Sequence, residues 1–229
     1  MRHLLATAAI AVTCATAVAA EGARTLVELY TAQGCSSCPP ADALMAQLVA
    51  RDDVVALSLH VDYWDYLGWA DDLANPAFTA RQKGYAHAWN ARQIYTPQIV
   101  VDGQTAVVGG NAAKVLNAIT MASEPPLAMD LVRSPGGLRL VARALGTVPG
   151  EVTIHVVRYL PRVERDIESG ENVGRHAVYH NVVTDWAVAG TWETYAPLDR
   201  QIPVAGGGPV AVILQDGTDG PVLAAAAIP

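Results

Sequence analysis

The chain has 229 residues, a formal net charge of −7, 16% charged residues and 52% hydrophobic ones. That composition belongs to an ordered globular protein, and with acids in surplus and no polybasic cluster it argues against nucleic acid as a partner. The length allows one domain or two, and the texture along the chain points to two.

The opening residues read as a targeting signal. Arg2 precedes an acid-free apolar run, Leu4 to Ala20, and Ala17-Val18-Ala19 fits the small-x-small pattern that signal peptidase cuts. A permanent membrane anchor takes about 20 apolar residues, usually larger than alanine. Residues 1–20 are therefore expected to be shed, leaving a periplasmic or secreted protein with no stable membrane insertion after cleavage. Cys14 leaves with that segment, so Cys35 and Cys38 are the cysteines of the mature chain. In an oxidising compartment a structural crosslink does most when it ties distant segments together. A pair two residues apart closes a very small loop, which points to chemistry.

Thr25 to Thr31 alternates and reads as a strand. It runs into Gly34-Cys35-Ser36-Ser37-Cys38-Pro39-Pro40, after which Leu44, Leu48 and Val49 recur at helical spacing. Proline is tolerated in a first helical turn, whose N–H groups have no intrahelical partner. The cysteines thus stand at a helix N-terminus. Val54 to Val61 reads as a buried strand, and Asn75-Pro76 as the cap and first residue of a helix reaching about Asn90. A strand from Gln98 to Val101, an Asp102-Gly103 turn, a short strand through Val108 and a helix from about Asn111 to Met121 follow.

Between the second strand and its helix, His60 to Trp69 carries four aromatic residues and two acids. Most of the aromatics are expected to pack over the following helix or against the second domain; the alternative is a lid or docking ledge beside Cys35. His60 and Asp62 are candidate proton-transfer groups.

Glu124-Pro125-Pro126 marks a boundary, giving expected units of 21–123 and 124–229. Beyond it Leu127 to Arg133, Leu138 to Ala144, Glu151 to Tyr159, Arg175 to Val188, Val210 to Gln215 and Val222 to Ile228 are strand-like, separated by Gly, Pro and Asp turns. This half reads as a β-sandwich that orients or recognises a partner protein or covers one side of the redox domain. Arg162, Glu164, Arg165, Asp166, Glu168 and Glu171 read as a solvated loop. His176 and His180, four strand residues apart, lie roughly 13 Å from each other, too far to share an ion, and are expected to be structural.

The thiol chemistry follows from position. A helix N-terminus presents unsatisfied N–H groups and about half a unit of positive charge, which favours the thiolate of Cys35. Cys35 is expected to attack, and Cys38, one turn on, to resolve the mixed disulfide. Ser36 and Ser37 tune the potential with a sign that sequence does not fix.

Strand, helix, strand, helix, strand, strand, helix, with CxxC after the first strand and Thr96-Pro97 before the third, resembles the thioredoxin core. The resemblance implies an α/β thioredoxin-like domain followed by an all-β, sandwich-like C-terminal domain. It also implies a cis Pro97 lying against the disulfide and a Thr96 backbone able to pair with an extended substrate segment. VELYTAQGCSSCPPAD (Val27 to Asp42), HVDYWDYLGW (His60 to Trp69) and GENVGRHAVYHNVV (Gly170 to Val183) further resemble an exported bacterial thioredoxin-like family catalogued as a domain of unknown function. That family name supplies no reaction. The expected function is a thiol-disulfide oxidoreductase acting on the thiols and disulfides of protein partners, with Cys35, Cys38 and Pro97 catalytic and Thr96 binding substrate. No cofactor is expected beyond the redox-active disulfide. Two alternatives stay open: a copper-binding metallochaperone using both thiolates and an imidazole such as His60, and a non-catalytic binding module with a structural disulfide.

Overall fold

The computed structural model describes residues 19–229. The expected signal segment lies outside them except for Ala19 and Ala20, whose backbone belongs to a short strand, β1 (Ala19–Glu21). β2 (Thr25–Thr31) is buried from its second residue on and β3 (Val54–His60) throughout, as strands covered on both faces should be. They pair in parallel, which requires a crossover. α1 (Pro39–Leu48) supplies it: two prolines open the helix, and Ala41, Leu44, Met45 and Leu48 form its buried face at helical spacing. After a 3-10 turn (Asp65–Leu67), α2 (Pro76–Ala88) begins where the Asn75 side chain accepts from the Ala77 N–H.

β4 (Gln98–Val101) pairs antiparallel to β2 and turns into β5 (Thr105–Val108) through Asp102 and Gly103, both at positive φ. A Cβ on Gly103 would stand 2.6 Å from the Gly220 carbonyl oxygen, so this turn needs glycine for both its conformation and its packing. α3 (Ala112–Thr120), capped by Asn111, closes the first half.

The second half is strand throughout: β6 (Leu127–Ser134), β7 (Gly137–Ala144), β8 (Glu151–Asp166), β9 (His176–Glu193), β10 (Leu198–Pro203), β11 (Val210–Gln215) and β12 (Val222–Ile228). Four strands form one antiparallel sheet in the order β1-β6-β7-β10. The other eight form a mixed sheet, β12-β11-β8-β9-β3-β2-β4-β5.

The expected fold class, a helix-flanked α/β thioredoxin-like domain followed by a separate all-β domain, does not hold. The protein is mostly β, 44% strand against 17% helix, with three α-helices among the described residues. Strands from both sides of Glu124 share the eight-stranded sheet. The junction is β9 against β3, where Ser58 registers with Val182, the Ser58 hydroxyl donates to the His180 carbonyl at 2.8 Å and the Asn181 amide donates to the Ala56 carbonyl at 2.9 Å. Without β9, fully buried β3 would present an open edge. One apolar cluster accordingly joins Leu26, Leu57 and Phe78 to Val157, Val183 and Ile213. The four-stranded sheet packs on the β8-β11-β12 end, Leu131 and Leu140 meeting Ile154 and Val212 in another cluster.

Polar groups bind the halves as well. Arg81 of α2 donates from Nε to Glu28 of β2 at 2.7 Å, and its Nη2 reaches Gln215 of β11 at 3.1 Å. The guanidinium lies 3.8 Å from the ring centre of Trp186 on β9.

Two further expectations change. Arg162 to Asp166 is the end of β8 and not a loop: β8 and β9 overhang the sheet as a two-stranded ribbon, with Arg162 opposite His180 and Asp166 opposite His176. The ladder satisfies the backbone while the charged side chains reach solvent, so charge there disguises a strand. β10 escaped notice because only Leu198 and Ile202 of its six residues are buried, the rest carrying the polar pattern of an edge.

Candidate functional site

Cys35 and Cys38 form a disulfide, S–S 2.06 Å, between the end of β2 and the start of α1. Cys38 is the N-cap of α1, and its N–H donates to the Cys35 carbonyl at 3.1 Å. Across from the pair the Thr96–Pro97 bond is cis. The Ser37 hydroxyl lies 3.4 Å from Cys35 Sγ and donates to the Thr96 carbonyl at 3.4 Å, which brings Cys35, Ser37 and Thr96 together. Gly109 lies between Pro97 and the first turn of α1: a Cβ on it would be 3.2 Å from the Pro97 Cβ and 3.1 Å from that of Ala41.

A strand-to-helix turn leads one to expect exposed cysteines, but Cys35 is 0% and Cys38 1% exposed, while Ser36 and Ser37 face solvent. Two segments cover the sulfurs. From the aromatic segment, the Trp64 indole N–H donates to the Thr96 hydroxyl at 2.7 Å, and Trp69 donates to Gln33 Oε1 at 2.6 Å. From the tip of the β8-β9 ribbon, the buried Asn172 amide donates to the Gln33 and Cys35 carbonyls at 2.8 and 2.9 Å. Ser169 bridges the two segments by donating to the Gly68 carbonyl. The aromatics therefore divide: Tyr63 packs toward α2, its hydroxyl on Gln82, Trp64 and Trp69 close the site, and Tyr66 is 79% exposed.

Beneath the pair lies a carboxyl that the sequence reading overlooked. Asp42 follows Cys38 by one helical turn in α1, and its Oδ1 accepts from the Thr31 hydroxyl at 2.8 Å. Burial raises its pKa from 3.8 to about 7, against the opposing pull of the His60 imidazole and the Thr31 bond. Asp42 lines a cavity of about 480 Å³ between α1 and β9, with Ala32, Pro39, Asn172 and Tyr179 among its walls. The available signal was an acid four residues after the second cysteine, on the same helix face.

His60 is fully buried, with Nδ1 2.7 Å from Asp71 Oδ2, an oxygen that also accepts from the Gln33 N–H at 2.8 Å. Its ring meets Tyr179 edge-on. Asp62 is occupied by the Thr79 hydroxyl at 2.6 Å. His176 is exposed between Asp166 and Glu164 at 2.7 and 3.0 Å, across the ribbon. Among the described residues no group of three or more His, Cys, Asp or Glu side chains is arranged to hold a metal ion.

The family described as "Protein of unknown function (DUF1223)" matches residues 26–215. Among solved structures, the chain is similar to protein AGR_C_4864 from Agrobacterium tumefaciens at 28% identity, covering 91% of this chain and 95% of that one with a TM-score of 0.78. It is similar in fold to HBP35 of Porphyromonas gingivalis, at 10% identity, covering 90% of this chain and 75% of that one with a TM-score of 0.59. No curated protein matches the chain.

Proposed function

From a chain that belongs to the DUF1223 family, whose description carries no reaction, we propose an exported thiol-disulfide oxidoreductase that exchanges its Cys35–Cys38 disulfide with protein partners at the CxxC turn between β2 and α1. One observation carries the reading: a local disulfide at the head of α1 faces the Thr96 backbone through Ser37.

In the reduced protein the positive end of the α1 dipole favours a thiolate on Cys35. That thiolate attacks a partner disulfide, forming a bond from Cys35 Sγ to one partner sulfur and releasing the other as a thiolate. Cys38 then attacks Cys35, closes the internal disulfide and releases the second partner sulfur. The partner gains two electrons and this protein loses two; the reverse sequence oxidises a dithiol partner. In this reading Asp42, one helical turn beyond Cys38, exchanges the proton of the Cys38 thiol.

The burial of both sulfurs favours a second reading, an inert crosslink in a binding protein. The reduction potential separates the two. Equilibration in glutathione buffers with free-thiol counting gives a value between about −270 and −120 mV for an exchanging pair. A potential below about −300 mV identifies a structural crosslink and sinks the catalytic reading.

A further inference from the structure

The seal over the sulfurs is asymmetric. On the β9 side it is built into the fold, because Asn172 is 5% exposed and holds two backbone carbonyls at once. On the Thr96 side it is the half-buried Trp64, which packs against the apolar cluster that contains Cys35 and Cys38 and whose indole N–H donates to the Thr96 hydroxyl. Trp64 leads into the 3-10 turn Asp65–Leu67, which has no buried residue. Beneath the ring, the Thr96 backbone is underused. Its carbonyl takes only the 3.4 Å bond from Ser37, and among the described residues its N–H has no protein partner. A half-buried N–H and C=O on one residue suit the backbone of an extended chain, which carries both complementary groups.

We infer that Trp64 determines the specificity of the site: its indole closes the Thr96 side of the disulfide against small thiols, and an extended polypeptide that pairs with the Thr96 backbone displaces it. This rests on the exchange chemistry proposed above. With a dithiol polypeptide, one partner thiolate bonds to Cys35 Sγ, the Cys35–Cys38 bond breaks and its electron pair leaves on Cys38, which takes a proton. The second partner thiolate then attacks the partner sulfur of the mixed disulfide and returns an electron pair to Cys35. The partner ends as a disulfide and this protein as a dithiol. A small dithiol can perform the same exchange, but it brings neither backbone groups for Thr96 nor apolar surface to replace the indole.

The test is the rate at which the oxidised protein is reduced by dithiothreitol and by an extended peptide containing two cysteines, in the wild type, Trp64→Ala and Trp64→Phe. Losing a hydrogen bond and its covering ring is expected to raise the dithiothreitol rate of Trp64→Ala about ten-fold and to erase the wild-type preference for the peptide. Trp64→Phe, which keeps a ring without the N–H, falls between. Should Trp64→Ala fail to fold, Thr96→Val removes the hydroxyl that accepts from the indole and that Tyr63 also meets, and is expected to shift the dithiothreitol rate in the same direction. A peptide preference unchanged in these variants overturns the role of Trp64 and leaves exchange standing. A disulfide that neither reductant opens until denaturant unfolds the chain overturns the exchange reading itself.

Discussion

The Thr31 hydroxyl donates to Asp42 Oδ1 at 2.8 Å, joining the last residue of β2 to the first turn of α1 directly across the CxxC loop. The loop that carries the disulfide is thus clamped at its two ends, and the clamp is a carboxyl whose charge state changes near neutral pH.

That charge state predicts a pH dependence. Burial raises the folded pKa of Asp42 to about 7 from an ordinary 3.8. Between those values the folded protein holds a proton that the unfolded chain has released, so the Asp42 contribution to stability falls as pH rises from about 4 to 7, by on the order of 4 kcal/mol. Asp42→Asn removes this slope. His155, lowered by burial to about 4, works in the opposite sense, so the quantity to read is wild type minus variant in urea unfolding at pH 5 and pH 8. The variant gains on the wild type at the higher pH; a difference independent of pH rejects the assignment.

The pair Glu28 and Arg81 is the next target. Both side chains are buried, at 0% and 8% exposure, and Arg81 also reaches Tyr85, Gln215 and the Thr218 carbonyl. Arg81→Met strands a buried carboxylate and is expected to cost about 3–5 kcal/mol. Adding Glu28→Gln removes that charge, so the double variant regains part of the loss. Denaturant midpoints of the three proteins check this, and a double variant less stable than Arg81→Met contradicts it.

Gly103 makes a sharper steric prediction. Its φ of +64° is left-handed, and a Cβ there would meet the Gly220 carbonyl oxygen at 2.6 Å. Gly103→Ala is expected to lose about 1–2 kcal/mol to conformation alone, plus the displacement of Gly220. Since the Asp102 carbonyl accepts from the Val222 N–H in the same place, hydrogen exchange should quicken at Val222 as well as in the turn.

Much of this was legible in the sequence, and the limits have physical causes. Alternation and caps located the elements: Asn75 does cap α2, the helix expected from about Asn111 is α3, and Gln98–Val101 is β4. Periodicity tells which side of a strand is buried and is silent on which strand lies beside it. The pairing of β9 with β3 was therefore invisible, resting on Ser58 and Asn181, whose backbone partners lie 122 and 125 residues away. The cysteines and Thr96 were singled out because their signal is local. Asp42 and Asn172 were missed because each becomes part of the site only through burial, which for Asn172 depends on a ribbon tip folding back 137 residues from Cys35.

The cysteines give the last prediction, and their two replacements should behave differently. Each deletes a crosslink across four residues, for which chain entropy allows only about 2 kcal/mol, so both variants are expected to remain folded. Cys35→Ser loses the sulfur nearest Ser37 and Thr96 and should form no adduct with a disulfide partner. Cys38→Ser keeps the attacking thiol without the resolving one, so the mixed disulfide at Cys35 accumulates. Mass spectrometry of each variant after exposure to a disulfide-containing extended peptide distinguishes them. An adduct on Cys35 alone fits the proposed roles, because Cys35 faces Ser37 and Thr96 while Cys38 caps the helix behind it. An adduct on Cys38 in the Cys35→Ser variant with none on Cys35 in the Cys38→Ser variant reverses the assignment of attacking and resolving sulfur, and equal adducts on both reject it.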